Sequence, residues 1–292
     1  MFSIILRKKV SLKARSLIKE STNSLSIGGV VKLTKKILFI TFICEAVGAF
    51  LLSFRFIPEF GILKGTWFSI FYSISAFCNA GFDLMGIKYG AYNSLSAYSS
   101  DILVNIVIML LILIGGIGFI VWEDITKYRL DFKKYRLHSK IVIFASVVLF
   151  VIPTLIFYIT EQTTVLKGMS FSHAMLASAF SDVTARTAGF NTVDFKLFSD
   201  AGKMVFIIIM FIGAGSGSTA GGIKMTTFFV LLAQVRANVL NKKITEVFNR
   251  TISNEIIIRA ATINTINISL ILVSAIVINY IDKINIDRKS TR

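Results

Sequence analysis

Asn79-Ala80-Gly81-Phe82-Asp83 and Thr187-Ala188-Gly189-Phe190-Asn191 are two versions of one pentad. Each ends a moderately apolar, helix-compatible run, Thr66–Cys78 in the first case and His173–Arg186 in the second. Neither run is long enough to cross a bilayer, which takes about 20 residues of helix. Each pentad is followed by a polar, turn-forming patch and then by a long apolar stretch. Placing Gly189 on Gly81 sets an offset of 108 residues, at which Ser181 falls on Ser73 and the span near Met210 on the span near Ile102. A repeat of this kind decides the architecture before any local reading does. Its unit is span, short re-entrant helix, glycine-centred loop, span, which is the plan of a pore.

The composition agrees. Of 292 residues 54% are hydrophobic and 16% charged, against roughly 25% charged in soluble domains. Three uncharged apolar runs have membrane length: Ile102–Trp122, Ile141–Thr160 and Ala260–Ile281. The net charge of +16 raises the question of nucleic acid, but its distribution answers it. Lys and Arg gather in 1–36, 123–140 and 234–259, and the segments between are near neutral. That alternation is the positive-inside pattern. It places those three segments in the cytoplasm, next to anionic lipid, and argues against a nucleic-acid partner.

Along the chain, 1–36 is a basic, Ser-rich lead-in, and 37–122 is the first complete span–pore loop–span unit. Its first span, about Ile37–Phe56, carries Glu45, an intramembrane carboxylate that is either functional or a bond to a neighbouring helix. A basic linker, 123–140, leads to the second unit, 141–233, with Pro153 a kink in its first span. Asp182 and Arg186 stand at i,i+4 and can pair, which makes both structural. The span 203–233 is interrupted by Gly213-Ala-Gly-Ser-Gly-Ser-Thr-Ala-Gly-Gly222, followed by Ile223 and Lys224. Glycine costs about 1 kcal/mol per residue in a helix, and non-helical backbone at membrane depth survives only where protein buries it or water lines it. The break is therefore built in. A second linker, 234–259, precedes a last span, 260–281, whose Asn264, Thr265 and Asn267 predict a face packed on protein. The tail, 282–292, falls outside by parity, where its basic residues fit poorly.

Other chemistries find no footing. Ile223 separates Gly222 from Lys224, which spoils a phosphate-binding loop, and Gly215-x-Gly217-x-x-Ala220 has no strand before it to make a dinucleotide site. His138 and His173 have no ligand partners at metal spacing. Cys44 and Cys78 sit in apolar runs and read as small buried hydrophobes. Met1–Leu6 is too short for a signal peptide and its charges follow it. No Ser–His, paired-carboxylate or metal constellation supports an enzyme.

The repeated loops suit a cation. Backbone carbonyls in a ring replace a hydration shell without fixed charge. Glycine supplies the positive φ that aims them, and a helix ending at the loop directs its negative end toward the ion. Ser75-Ala-Phe-Cys-Asn-Ala-Gly-Phe-Asp83 resembles the second-repeat pore loop of the Trk/Ktr/HKT superfamily of K+ transporters, most of all its Ktr-type membrane subunit. Val183-Thr-Ala-Arg-Thr-Ala-Gly-Phe-Asn-Thr192 resembles the third-repeat loop. Gly213 to Lys224, with Met225-Thr-Thr227 after it, resembles the intramembrane gating loop of that family.

The resemblance implies an all-α polytopic membrane protein with five spans, two re-entrant pore helices and one broken spanning helix. Its K+ filter would use the backbone carbonyls of Asn79, Ala80, Gly81, Phe82, Thr187, Ala188, Gly189, Phe190 and Asn191, with K+ the sole metal. Its gating loop would comprise Gly213, Gly215, Ser216, Gly217, Ser218, Thr219, Gly221, Gly222 and Lys224, the lysine snorkelling toward cytoplasmic water. It further implies K+ uptake across the cytoplasmic membrane, often Na+-dependent, by a homodimer under a cytosolic RCK-type ring. The nucleotide then belongs to that partner and no cofactor to this chain. The family has four repeats, whereas this sequence holds two complete ones, with 1–36 like the end of a first and 255–281 like the start of a fourth. On that reading the chain is part of a longer frame, one piece of a split gene or a decayed product. Its alternative role is a non-conducting interaction protein.

Overall fold

A computed structural model describes residues 30–90, 93–129, 131–242 and 244–282, and the lead-in before residue 30 and the tail beyond 282 lie outside the described residues. The described chain is helical apart from loops and one two-residue β-hairpin, Glu246–Val247 with Arg250–Thr251. The first unit consists of α1 (Val30–Phe60), α2 (Ile62–Phe77), a single turn α3 (Gly86–Tyr89) and α4 (Ile102–Ile117). Then follow α5 (Phe119–Tyr128), α6 (Leu137–Thr160), α7 (Phe171–Ala185), α8 (Asp200–Phe211), α9 (Met225–Val239) and α10 (Asn254–Asp282).

The two units pack alike. The short helix α2 lies between α1 and α4, and the short helix α7 between α6 and α8. Contact between α4 and α7 joins them. The main apolar core is shared across that join: Phe56, Tyr72, Tyr98 and Ile108 of the first unit close around Phe180, Val183 and Phe190 of the second. A second cluster, including Phe157, Phe198 and Ile209, fills the far side of α7.

Chain direction is set by local chemistry at each end. Gly61, at φ +80, reverses the backbone between α1 and α2, and α2 starts four residues earlier than its apolar pattern predicts. Asp101 caps α4 by accepting from the Val104 N–H at 3.1 Å, and Ser199 caps α8 through Gly202 at 3.0 Å. The side-chain carboxylate of Asp101 also takes Arg55 at 2.7 Å, and Arg55 pairs with Glu59 at 2.7 Å. Glu59 in turn takes Lys88 at 2.7 Å. These ion pairs fasten α1, α3 and the start of α4 at the end of the unit away from the basic linker.

Three helices are long and apolar enough to cross a membrane on their own: Thr34–Phe60 within α1, Leu137–Thr160 and Asn254–Ile281. The run Ile102–Trp122, expected as one continuous span, is a correction. It bends by 94° between Ile117 and Phe119, with Gly118 at φ +97. The sequence marks the place with Gly115, Gly116 and Gly118, and the cause lies in the neighbouring loop described below. The last span also departs from expectation. Beyond its first turns α10 is largely exposed among the described residues, Asn264 and Asn267 being half-buried, and Thr265 and Asn267 bond back to Ala261 and Ile263 of their own helix at 3.0 and 2.8 Å.

Candidate ion-conducting site

The site begins where the two short helices end. After Phe77 and the cap residue Cys78, Asn79 turns to φ +50 and Gly81 to φ +67. After Ala185 and Arg186, Thr187 turns to φ +67 and Gly189 to φ +84. Equivalent positions of the repeat therefore adopt the same left-handed geometry, which carries the chain out of the helix without entering a strand. The loops meet glycine to glycine: a Cβ on Gly81 would stand 2.6 Å from the Ala188 carbonyl oxygen and 2.8 Å from the Gly189 Cα. From the other side, a Cβ on Gly189 would lie 3.2 Å from the Gly81 Cα. No side chain fits between them.

Carbonyl partners divide the expected filter residues into two groups. The Phe82 carbonyl accepts from the Ser75 hydroxyl at 3.3 Å, the Phe190 carbonyl from Thr184 at 2.6 Å and the Asn191 carbonyl from the Leu95 N–H at 2.9 Å. These three hold the loops in place. The carbonyls of Asn79, Ala80 and Gly81, and of Thr187, Ala188 and Gly189, take no hydrogen bond from another described residue. Backbone oxygens at membrane depth require a partner. Residues of both loops, Ala80 with Thr187, Ala188 and Gly189, line a cavity of about 330 Å³ that supplies room for one.

Each loop has its own clasp. In the first, the Tyr72 hydroxyl donates to the Asp83 carboxylate and accepts the N–H groups of Leu84 and Met85 at 3.0 and 3.2 Å. In the second, Asn191 is held from the other unit, its N–H donating to the Ser94 hydroxyl at 3.0 Å. Behind the second loop, Arg186 pairs with Asp182 at 3.0 Å, both buried. The guanidinium is thereby neutralised next to the loop.

Against both loops lies the glycine-rich break. Residues 213–224 are non-helical apart from an isolated bridge between Ile212 and Ile223. The two ends touch, since a Cβ on Gly213 would stand 2.8 Å from the Gly222 Cα. The segment is an extruded loop whose entrance and exit are side by side. It also explains the bend in the first unit. The Gly215 N–H donates to the Gly116 carbonyl at 2.9 Å, the Thr219 N–H to Gly115 at 3.3 Å, and the Phe119 N–H to the Gly217 carbonyl at 2.9 Å. Two broken helices satisfy each other's freed backbone groups, as the absence of water in the bilayer core demands. Above, Thr219 and Gly221 reach Asn79 and Thr187 of the two pentads.

Two smaller expectations are corrected. Lys224 does not reach out to water; its Nζ donates to the Ala220 carbonyl at 2.8 Å, within its own loop. Cys78 is exposed, because the helix ends there and its side chain leaves the packed face, and Cys44 is half-buried; both are free thiols. Glu45 is half-buried and forms no ion pair among the described residues; its backbone carbonyl accepts from Ser73 at 2.7 Å. The described residues contain no cluster of metal-binding side chains.

A family model described as TrkH, cation transport protein, matches residues 1–289. The chain belongs to the TrkH family. It is 40% identical over 286 residues to the potassium/sodium uptake protein NtpJ of Enterococcus hirae, covering 97% of this chain and 62% of that protein. It is 39% identical over 270 residues to the Ktr system potassium uptake protein B of Bacillus subtilis, covering 92% of this chain and 59% of that one. The chain thus spans about three fifths of the length of these relatives. The crystal structure of the potassium transporter TrkH from Vibrio parahaemolyticus shares the fold, with a TM-score of 0.69 at 17% identity over 91% of this chain and 55% of that one. The protein is accordingly an all-α, polytopic membrane protein of a cation transport family.

Proposed function

We propose that this chain forms part of a K+ uptake pathway across the cytoplasmic membrane, with the two pentads as half of its filter. The observation that carries the proposal is the set of carbonyls at Asn79–Gly81 and Thr187–Gly189. Among the described residues none donates to them, they sit at the negative ends of two repeat-related helices, and glycines hold them in apposition. Neutral oxygens aimed by helix ends suit a dehydrated monovalent cation. The names of relatives in potassium and potassium/sodium uptake support K+ as the ion, with Na+ coupled or competing. In this reading residues 213–224 are the gate beneath the filter, and the chain transports without catalysing a reaction or holding a cofactor. The basic linkers 123–140 and 234–259 face the cytoplasm, where a nucleotide-binding ring of RCK type docks on a membrane homodimer.

The rival reading is a membrane protein that binds partners without conducting. It draws on one observation: two loops supply two arcs of a carbonyl ring, and a ring must close to replace hydration. Growth decides between them. Placed in a four-repeat frame and expressed in cells lacking K+ uptake systems, the chain should restore growth at low K+, and the Gly189→Ser variant should remove the rescue. A four-repeat protein that reaches the membrane and gives no rescue favours the non-conducting reading.

A further inference from the structure

The residue two places before each filter glycine is tied by its side chain to the same intramembrane loop. In the first pentad the Asn79 Nδ2 donates to the Thr219 hydroxyl at 2.9 Å. In the second, the Thr187 hydroxyl accepts the Gly221 N–H at 2.9 Å. Asn79 and Thr187 are equivalent across the repeat, and both are non-glycine residues held at positive φ. Such a backbone persists only where its surroundings impose it; the helix ends contribute, the Ala80 N–H donating to Ser75 and the Ala188 N–H to Thr184, and the loop adds a side-chain tie at each residue.

Thr219 is the junction. Its hydroxyl has one proton to give and gives it to the Phe77 carbonyl at 2.9 Å, the last carbonyl of α2. Its lone pairs then receive Asn79, and its own N–H is spent on Gly115 at 3.3 Å. Pore helix, first filter loop and broken span therefore converge on one side chain of the gate. A loop that moves aside breaks the Asn79 tie, leaves the Phe77 carbonyl without the Thr219 donor, and breaks the Thr187 tie two residues away.

We propose that Thr219 is a positioning residue for the filter, so that its ties hold the first pentad in the geometry that discriminates K+ and discrimination falls when those ties are cut. This rests on the K+ reading above. It goes beyond a loop that merely blocks the path, because a plug would leave selectivity untouched when it moves.

Two measurements on Thr219→Val and Thr219→Ser test it, with Thr187→Val as an independent cut of the second tie. The first is hydrogen exchange of the purified chain in detergent or nanodiscs. The Thr219 bonds are part-buried and the Thr187–Gly221 bond is exposed; removing one partner of a hydrogen bond shifts local opening by up to about tenfold. Thr219→Val should therefore speed exchange by up to about tenfold in 77–83 as well as in 213–224, with Thr219→Ser close to wild type. Thr187→Val should do the same in 187–191. Faster exchange confined to 213–224, or an equal effect of Val and Ser, overturns the coupling. The second is Rb+ uptake with Na+ competition, with the chain placed in a four-repeat frame in cells lacking other K+ systems. Discrimination against Na+ should fall several-fold in Thr219→Val and return in Thr219→Ser, whereas changed flux at unchanged discrimination overturns the proposal. If wild-type protein carries no Rb+, the K+ reading fails, and exchange in 77–83 and 187–191 alone decides whether gate and filter loops are coupled.

Discussion

The two pentads share Ala-Gly-Phe and a backbone path, yet their phenylalanines meet opposite fates. Phe190 is fully buried, its ring tilted at 41° and 6.1 Å from the Tyr72 ring of the preceding unit's short helix. Phe82 is 68% exposed. The difference does not come from the residue or its loop. It comes from what stands behind: the second loop leans on the first unit, and among the described residues nothing occupies the equivalent place behind the first loop. Burial is thus a property of the neighbouring repeat, while the left-handed turn at the glycine is a property of the pentad itself. Shared features should respond alike to substitution, and neighbour-dependent ones should not.

The largest effect expected is a shared one. In a four-repeat frame, Gly81→Ser and Gly189→Ser should each lower K+ selectivity or abolish Rb+ uptake. The left-handed backbone alone costs an L-residue about 1–2 kcal/mol, and at Gly81 the new Cβ also meets the Ala188 carbonyl oxygen at 2.6 Å. Normal uptake at unchanged K+ selectivity in both variants breaks the filter assignment. Uptake lost in Gly81→Ser and retained in Gly189→Ser would show that crowding, not loop geometry, is decisive.

Next comes the contrast. Phe190→Ala should lower stability by about 3–5 kcal/mol, as for a buried aromatic ring, while Phe82→Ala should change it by less than about 0.5 kcal/mol, as for surface positions. Thermal unfolding of the purified chain in detergent, followed by loss of the monodisperse species, compares them directly. Equal losses would mean that Phe82 is covered in solution.

Smaller still is the difference between clasps. Tyr72→Phe removes the hydroxyl that serves Asp83, Leu84 and Met85, for a loss of about 1–3 kcal/mol. Position 180 of the second unit already carries Phe, so Phe180→Tyr adds a hydroxyl with no loop to hold and should cost stability. Thermal midpoints read both, and a stabilised Phe180→Tyr would show that the clasps are interchangeable.

What the sequence disclosed follows the same division. The repeat, the short helices, the turned glycines and the broken span at 213–222 are local, written in glycines and apolar run lengths, and all were legible. The Asp182–Arg186 pair was legible from its i,i+4 spacing. The 94° bend at Gly118 was not, because Ile102–Trp122 is apolar throughout and three glycines in a membrane helix also serve close packing. What bends it is a set of hydrogen bonds from residues about a hundred positions later. The reach of Thr219 to Asn79 and Phe77 is equally non-local. Cys78 misled because an apolar run implies burial only while the helix lasts, and this one ends at Phe77.

The central claim is that residues 213–224 gate a path that the two pentads select. Since the ends of the loop touch at Gly213 and Gly222, and adjacent Cα atoms stand about 3.8 Å apart, residues 214–221 can be deleted and the ends joined directly. The decisive measurement is Rb+ flux per folded molecule of that deletion, made in a four-repeat frame in cells lacking other K+ systems, with and without competing Na+. The account predicts higher flux than wild type and weaker discrimination against Na+. Flux per folded molecule at or below wild type would contradict it, and would make the loop a packing element.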